Sequence, residues 1–358
     1  MLDLDPAVIR DIDAAADVRA ALADRIRAAA KTKSNGTRIE RVDVPVPASV
    51  SLIDWVRAQA RSETAYWSGR AETRTVAAVG AADVVSSRAA PVDYGTLGTA
   101  VSERLRGVAP AVRYYGGVRF DAAQPPAANR PDRRWAPFGT YRFVLPRFEL
   151  VSTETGLHLA CNVVRPHDTD RVEAVVDQLE RVALPVPDEQ TPLPRPYHRH
   201  DVPDHEGWTD MVRWALDAID GDALDKVVLA RRVALALGES MDPLLVLSHL
   251  EPATPACYHF ALRPADGPAF VGASPERLFR REGRTVVSEA VAGTRPRGET
   301  EAEDKALRNE LLESPKERRE HAFVEKAIRS DLEQVCTSVQ SPNGTGELAL
   351  ARGRHLHS

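Results

Sequence analysis

The 358-residue chain is 43% hydrophobic and 28% charged, the balance of a globular protein with enough length for one large or two ordinary domains. Its net charge of −5 gives no electrostatic reason to expect a nucleic-acid or anionic-membrane partner. No apolar run approaches the roughly 18 residues of a membrane span, and the acidic, amphipathic N-terminus has neither the basic nor the apolar region of a secretory signal.

Along the chain, residues 6–30 carry apolar positions at helical spacing behind Pro6, and RIERVDVPVPA then alternates as a strand does. An aromatic-rich stretch, SLIDWVRAQARSETAYWSGR, leads into strand patterns at TRTVAAVGAADVV, VRYYGGVRF, TYRFVLPRFELVS and HLACNVV. A helix over 169–183 closes this first half. Residues 184–207, rich in proline and charge and without periodicity, read as an exposed extended connector. Its three histidines, His198, His200 and His205, lack the accompaniment of a metal site. Beyond it come a helix through Trp208, Met211, Val212, Ala215 and Ile219, a strand at KVVLARRVALAL, a helix at PLLVLSHLE and strands at CYHFALRP and AFVGAS. A hairpin turning at Glu282-Gly283 and two helices, EDKALRNELLES and SPKERREHAFVEKAIRSDLEQV, complete the pattern. Strands and helices without a regular βαβ rhythm predict an α+β fold, divided into residues 1–183, a linker 184–207 and residues 208–358. Cys161, Cys257 and Cys336 are isolated and lack metal-ligand spacing, so they read as buried thiols of a reducing, cytoplasmic compartment.

Three charged residues stand among apolar neighbours, where Lys and Glu are rarely found unless paired or at work. Glu320 follows a Ser314-Pro315-Lys316-Glu317 helix start and heads a stripe through Val324, Ala327 and Ile328, which turns its carboxylate toward the core. It is either a buried glutamate paired to an arginine or a ligand for a hard cation. Lys226 heads the apolar run KVVLAR, where it either snorkels to solvent or sits in an apolar cleft as a base. Glu276 follows Ser274-Pro275 on a turn leaving a buried strand, and burial there would keep it protonated, as a general acid requires. In AVAGTRPRG, Gly293 permits close backbone approach, Thr294 adds a hydroxyl, and Arg295 and Arg297 offer two-pronged partners for carboxylates.

Taken together, KVVLAR, GASPERLFR, AVAGTRPRG and KERREHAFV resemble the chorismate-utilising enzymes, the family of isochorismate, salicylate and anthranilate synthases. Upstream, WVRAQARSETAYWSGR, YYGGVRF and WAPFGTYRFVLPRFELV look like the N-terminal part of the menaquinone-type isochorismate synthases. The resemblance implies large mixed or antiparallel sheets with helices packed outside. It places Lys226 on the family lysine that activates water, Glu276 on the acid that protonates the leaving hydroxyl, and Glu320 on one of two glutamates that hold Mg²⁺. Gly293 and Thr294 fall on the substrate-carboxylate loop, and His355 on the histidine near the ring-substitution site.

The expected activity is therefore that of an isomerase, a Mg²⁺-dependent isochorismate synthase acting on chorismate, for menaquinone or siderophore biosynthesis. The alternatives are a salicylate synthase and a catalytically inactive remnant. Ammonia-using relatives generally carry glutamine at the place of Lys226, so water is the implied nucleophile, with no glutamine amidotransferase partner. Family members continue past the position of Ser358 with a segment that supplies the second Mg²⁺ glutamate, so a C-terminally truncated chain is expected.

Overall fold

A computed structural model describes residues 6–31, 38–46, 50–59, 62–70, 74–120, 133–183, 191–265, 267–341 and 344–358. They form two compact units, residues 1–188 with 246–358, and residues 189–245. No helix among the described residues is long and apolar enough to cross a membrane.

The larger unit begins with helix α1 (Pro6–Lys31), strand β1 (Ile39–Val46), helix α2 (Leu52–Arg57) and strands β2 (Thr64–Ser68) and β3 (Thr75–Ser87). Helix α3 (Tyr94–Arg104), strand β4 (Tyr115–Val118), a 3₁₀ turn at Arg133–Phe138, strands β5 (Tyr141–Thr153) and β6 (Gly156–Val164) and helix α4 (Val172–Glu180) follow. The smaller unit contains strand β7 (Pro196–Val202), helix α5 (His205–Asp220) and strand β8 (Arg232–Leu237). Helix α6 (Pro243–Ala253) precedes strands β9 (Tyr258–Arg263), β10 (Phe270–Ser274), β11 (Arg280–Glu282), β12 (Thr285–Val287) and β13 (Val291–Pro296). The chain then runs through helices α7 (Glu301–Glu313) and α8 (Pro315–Val335) to strands β14 (Gly346–Ala349) and β15 (Gly353–His357).

The fold is α+β. Its main sheet is antiparallel in the order β1-β6-β5-β3-β2-β9-β10, with β4 beside β5. Strands from both sides of the 184–207 connector share this sheet, because β2 pairs with β9 from Thr64↔Arg263 to Ser68↔His259. Part of the connector is itself a strand: β7 pairs with β8, and His198 and His200 lie opposite Ala236 and Ala234. Among the described residues, no group of three side chains suited to a metal ion occurs.

The N-terminal helix covers the β1–β6 end of the sheet. Leu22 and Ile26, four residues apart on one face of α1, are fully buried, and Arg27 on another face pairs with Glu173 of α4 at 2.9 Å. Behind them β5 and β6 are buried on both faces, yet three of their buried residues, Arg147, Glu149 and Asn162, are charged or amide. Arg147 donates to Asp168 at 2.5 Å and to the Asn162 carbonyl at 2.8 Å, and Asp168 accepts the Val164 amide at 2.7 Å. Next to it, Glu149 accepts from Arg41 at 2.5 Å and from the Asn162 side chain at 2.9 Å. Desolvation works against the ionised Asp168, but the Arg147 and Val164 hydrogen bonds outweigh it and hold its pKa below the usual carboxylate value.

The hairpin β11–β12 turns where the sequence predicts, with Gly283 in the left-handed region at φ 58°. Of the three cysteines, Cys161 and Cys257 are buried and Cys336 is half-buried, all as free thiols. Burial pushes the Cys161 thiol up to about 12.

Candidate active site

The predicted residues Gly293, Thr294 and His355 come together. In the three-stranded sheet β13-β15-β14, Thr294 stands opposite His355, and its hydroxyl lies 3.0 Å from His355 Nδ1. The register shifts between Ala292 and Thr294, and the extra residue of this bulge is Gly293 with φ 75°. Glycine is needed there twice over. The backbone is left-handed, and a Cβ would stand 2.9 Å from Glu317 Oε2.

Glu317 opens α8. Ser314 caps the helix by accepting the Glu317 amide at 3.4 Å, and Pro315 takes the first helical position, as the sequence predicts. The Glu317 carboxylate is buried at 5% exposure and accepts from Arg295 at 2.9 Å. Arg295 also donates to Glu310 at 2.9 Å, while Arg297 forks onto Asp304 at 2.8 and 2.9 Å. Both arginines thus pair carboxylates as their geometry favours, but the carboxylates belong to the protein.

Glu320 lies one turn beyond Glu317 and is half-buried. Its expected turn into the core is a correction. The buried residues at this end of α8 are Glu317 and His321, and the stripe continues through the half-buried Val324 and Ile328, whereas Ala327 is exposed. Helix register sets this outcome: the 317-321-324-328 spacing faces β13 and β15, and Glu320 flanks it.

Glu276 also departs from expectation. It follows β10 on a turn as predicted, but the residue is exposed, with its amide on the Ser274 hydroxyl at 3.3 Å. The buried glutamate of this region is Glu289, at 8% exposure.

Lys226 belongs to the smaller unit, and the expected strand over 226–237 is shortened to Arg232–Leu237. Lys226 is half-buried and Val228 is 82% exposed, so the run is not the core strand its composition suggests. A strand persists only while a partner continues its ladder. The ladder ends at Arg232↔Val202, where β7 gives way to Pro203, which has no amide to donate.

Glu289 and Glu317 are the residues that sequence reasoning missed. Glu317 lies within the KERREHAFV motif and Glu289 immediately before AVAGTRPRG, but the burial of each depends on an arginine elsewhere: Arg70 for Glu289 and Arg295 for Glu317. A cavity of about 850 Å³ involves none of the predicted residues. It lies beside Phe260, Leu262 and Phe270, at the end of the β9–β10 pair away from Glu276.

Behind the cluster, Asp304 also accepts from Arg354 and from the Gly298 amide. The Arg297 fork first, then Arg354 and that amide, hold the Asp304 carboxyl far below the usual carboxylate range. A depressed folded-state pKa stabilises the fold above the unfolded value of about 4 and is lost as pH falls through the folded one. Urea midpoints measured against pH should therefore fall in acid, and Asp304→Asn should remove part of that dependence while lowering the neutral-pH midpoint. A variant with an unchanged acid limb would show that the network contributes nothing.

The chain resembles known proteins over most of its length. Residues 24–358 match the family described as "Chorismate binding enzyme". The chain belongs to the chorismate-binding enzyme family. The chloroplastic isochorismate synthase of Catharanthus roseus is 34% identical over 262 residues, covering 70% of this chain and 44% of that protein. Isochorismate synthase MenF of Bacillus subtilis is 32% identical, covering 68% of this chain and 50% of its own length. The chain thus spans about half the length of these curated relatives. Among solved structures, the menaquinone-specific isochorismate synthase MenF of Escherichia coli superposes with a TM-score of 0.75 at 23% identity, covering 94% of this chain and 74% of that one. Component I of anthranilate synthase from Streptococcus pneumoniae gives 0.61 at 18% identity, over 81% of this chain and 69% of that one. These likenesses establish the expected fold of the chorismate-utilising enzymes.

Proposed function

We propose that this chain carries out the isochorismate synthase reaction, adding water at C2 of chorismate with loss of the C4 hydroxyl. The observation that carries the reading is the Gly293-Thr294-His355 cluster. A glycine bulge brings backbone, hydroxyl and imidazole to one place, and α8 packs against it through Glu317, one turn before Glu320. Such a bulge offers amide and hydroxyl donors to a substrate carboxylate. The two curated relatives described above, from Catharanthus roseus and Bacillus subtilis, are isochorismate synthases, which supports the same substrate here.

In this reading the Lys226 amine takes a proton from the attacking water. The C2–O bond forms, the ring double bonds shift, and the C4–O bond breaks as Glu276 delivers a proton to the departing hydroxyl, which leaves as water. A ring bound over the exposed Glu276 would exclude water from its carboxyl, so that the proton passes to the leaving oxygen. Thr294 and His355, already hydrogen-bonded to each other, would orient the substrate at the bulge.

Glu320, half-buried on the helix that packs against β13 and β15, is the carboxylate that would hold a magnesium ion. Mg²⁺ is held by one or two carboxylates with the remainder from substrate and water, so a site without three clustered protein ligands is compatible with it. Bound there, the ion would supply positive charge against a substrate carboxylate. No amidotransferase is needed for a water nucleophile, so chorismate is the one partner proposed, in the cytoplasm.

Incubating the chain with chorismate and Mg²⁺, with separation of the products, tests the reading. Isochorismate is expected. Accumulation of fluorescent salicylate would reassign the chain as a salicylate synthase, and unchanged chorismate would leave a binding protein without catalysis.

A further inference from the structure

The turn that carries Glu276 is tied down from the far end of the sequence. The register β2–β9–β10 sets Ser68 beside His259 and Tyr258 beside Ser274, so the end of β2 and the exit of β10 share one end of the sheet. Arg70, two residues past β2, reaches across that end. Its Nη2 donates to both carboxylate oxygens of Glu289, at 2.7 and 2.8 Å, while its Nη1 donates to the carbonyl of Pro275, the residue before Glu276. The pair is mostly buried, with 13% and 10% side-chain exposure.

Tyr258 fills the space between. Its ring has the Arg70 guanidinium 5.5 Å from one side and Arg277 at 5.6 Å, and its hydroxyl accepts from Arg277 Nε at 2.8 Å. Arg277 in turn stands 3.5 Å from Glu289, and Ser288 donates to the Leu278 carbonyl at 2.8 Å. The 275–278 turn is thus held by side chains from three separate segments. Glu289 sits two residues before β13, so the same carboxylate ties the Glu276 turn to the strand of the Gly293 bulge.

We infer that Arg70 is a positioning residue of the reaction: by bridging the Pro275 carbonyl and Glu289, it fixes Glu276 relative to the Gly293-Thr294 bulge. This rests on the proposed role of Glu276 as proton donor. A single charge at this point would neutralise Glu289, but the guanidinium sets two rigidly spaced nitrogens on two separate acceptors, a geometry one ammonium nitrogen does not reproduce. Lysine is therefore a poor substitute.

The test compares Arg70→Gln, Arg70→Lys, Glu276→Gln and the double variant Arg70→Gln/Glu276→Gln. A misplaced proton donor costs turnover more than binding, so Arg70→Gln should lower kcat about 10–100-fold with KM little changed. In the Glu276→Gln background the same change should cost no more than about twofold, since coupled residues are non-additive. Equal losses in both backgrounds would reduce Arg70 to a structural role and overturn the inference. Hydrogen exchange supplies a readout independent of turnover: amides at 276–279 should exchange faster in Arg70→Gln, and to a lesser degree in Arg70→Lys, while those of β5 and β6 stay protected. Arg70→Lys serves the same comparison if Arg70→Gln fails to fold. Unchanged exchange at 276–279 would remove the clamp whatever the activity. If the unsubstituted chain makes no isochorismate but the exchange result holds, the functional reading fails and the clamp stands.

Discussion

Lys226→Gln should abolish most isochorismate formation while chorismate still binds. Glutamine keeps the length and polarity of the side chain but has no amine lone pair to take a proton from water. General base catalysis contributes about 10²–10⁴-fold, so the loss corresponds to about 3–5 kcal/mol of barrier. Turnover followed by product separation, with chorismate affinity measured by calorimetry, distinguishes this from a loss of binding. The surroundings make the result informative. Lys226 is half-buried beside the exposed Val228, not enclosed in a core strand, so its replacement disturbs little packing. Near-normal turnover in this variant would take Lys226 out of the mechanism.

Arg147→Met should be the most damaging single change to stability. It would leave Asp168, with 2% side-chain exposure, without its guanidinium partner, and would remove the donor that Arg147 gives the Asn162 carbonyl. Removing one member of a buried pair typically costs about 3–5 kcal/mol, because the other charge remains desolvated. That is a large fraction of the stability of most domains. Adding Asp168→Leu should restore only part of the loss, since Asp168 also accepts the Val164 amide, which would then be buried unpaired. Urea unfolding of the two variants checks both statements. A cost below about 1 kcal/mol for Arg147→Met would mean that the pair does no more than a surface salt bridge.

Much of the local structure was written in the sequence. Ser314 and Pro315 start α8 where a hydroxyl cap and a residue without an amide belong, and Gly283 turns the β11–β12 hairpin. Gly293 was legible as a place of close approach, and Thr294 and His355 do meet across neighbouring strands. Short-range rules suffice for such features, because caps, turns and glycine backbones are decided within a few residues.

Burial was not legible in this way. Lys226, Glu276 and Glu320 stand among apolar residues in the sequence, yet two are half-buried and Glu276 is exposed, while Glu289 and Glu317, close to them in the chain, are enclosed. A carboxylate enters a core only where a cation meets it, and for Glu289 that cation is Arg70, 219 residues away. KVVLAR likewise has the composition of a strand but no ladder to join once β7 reaches Pro203. Helix starts, chain turns and the residue types present for chemistry are all properties of short stretches of sequence. Which charges are enclosed and which strands are completed is set by folding, because both depend on partners that chain connectivity does not bring together.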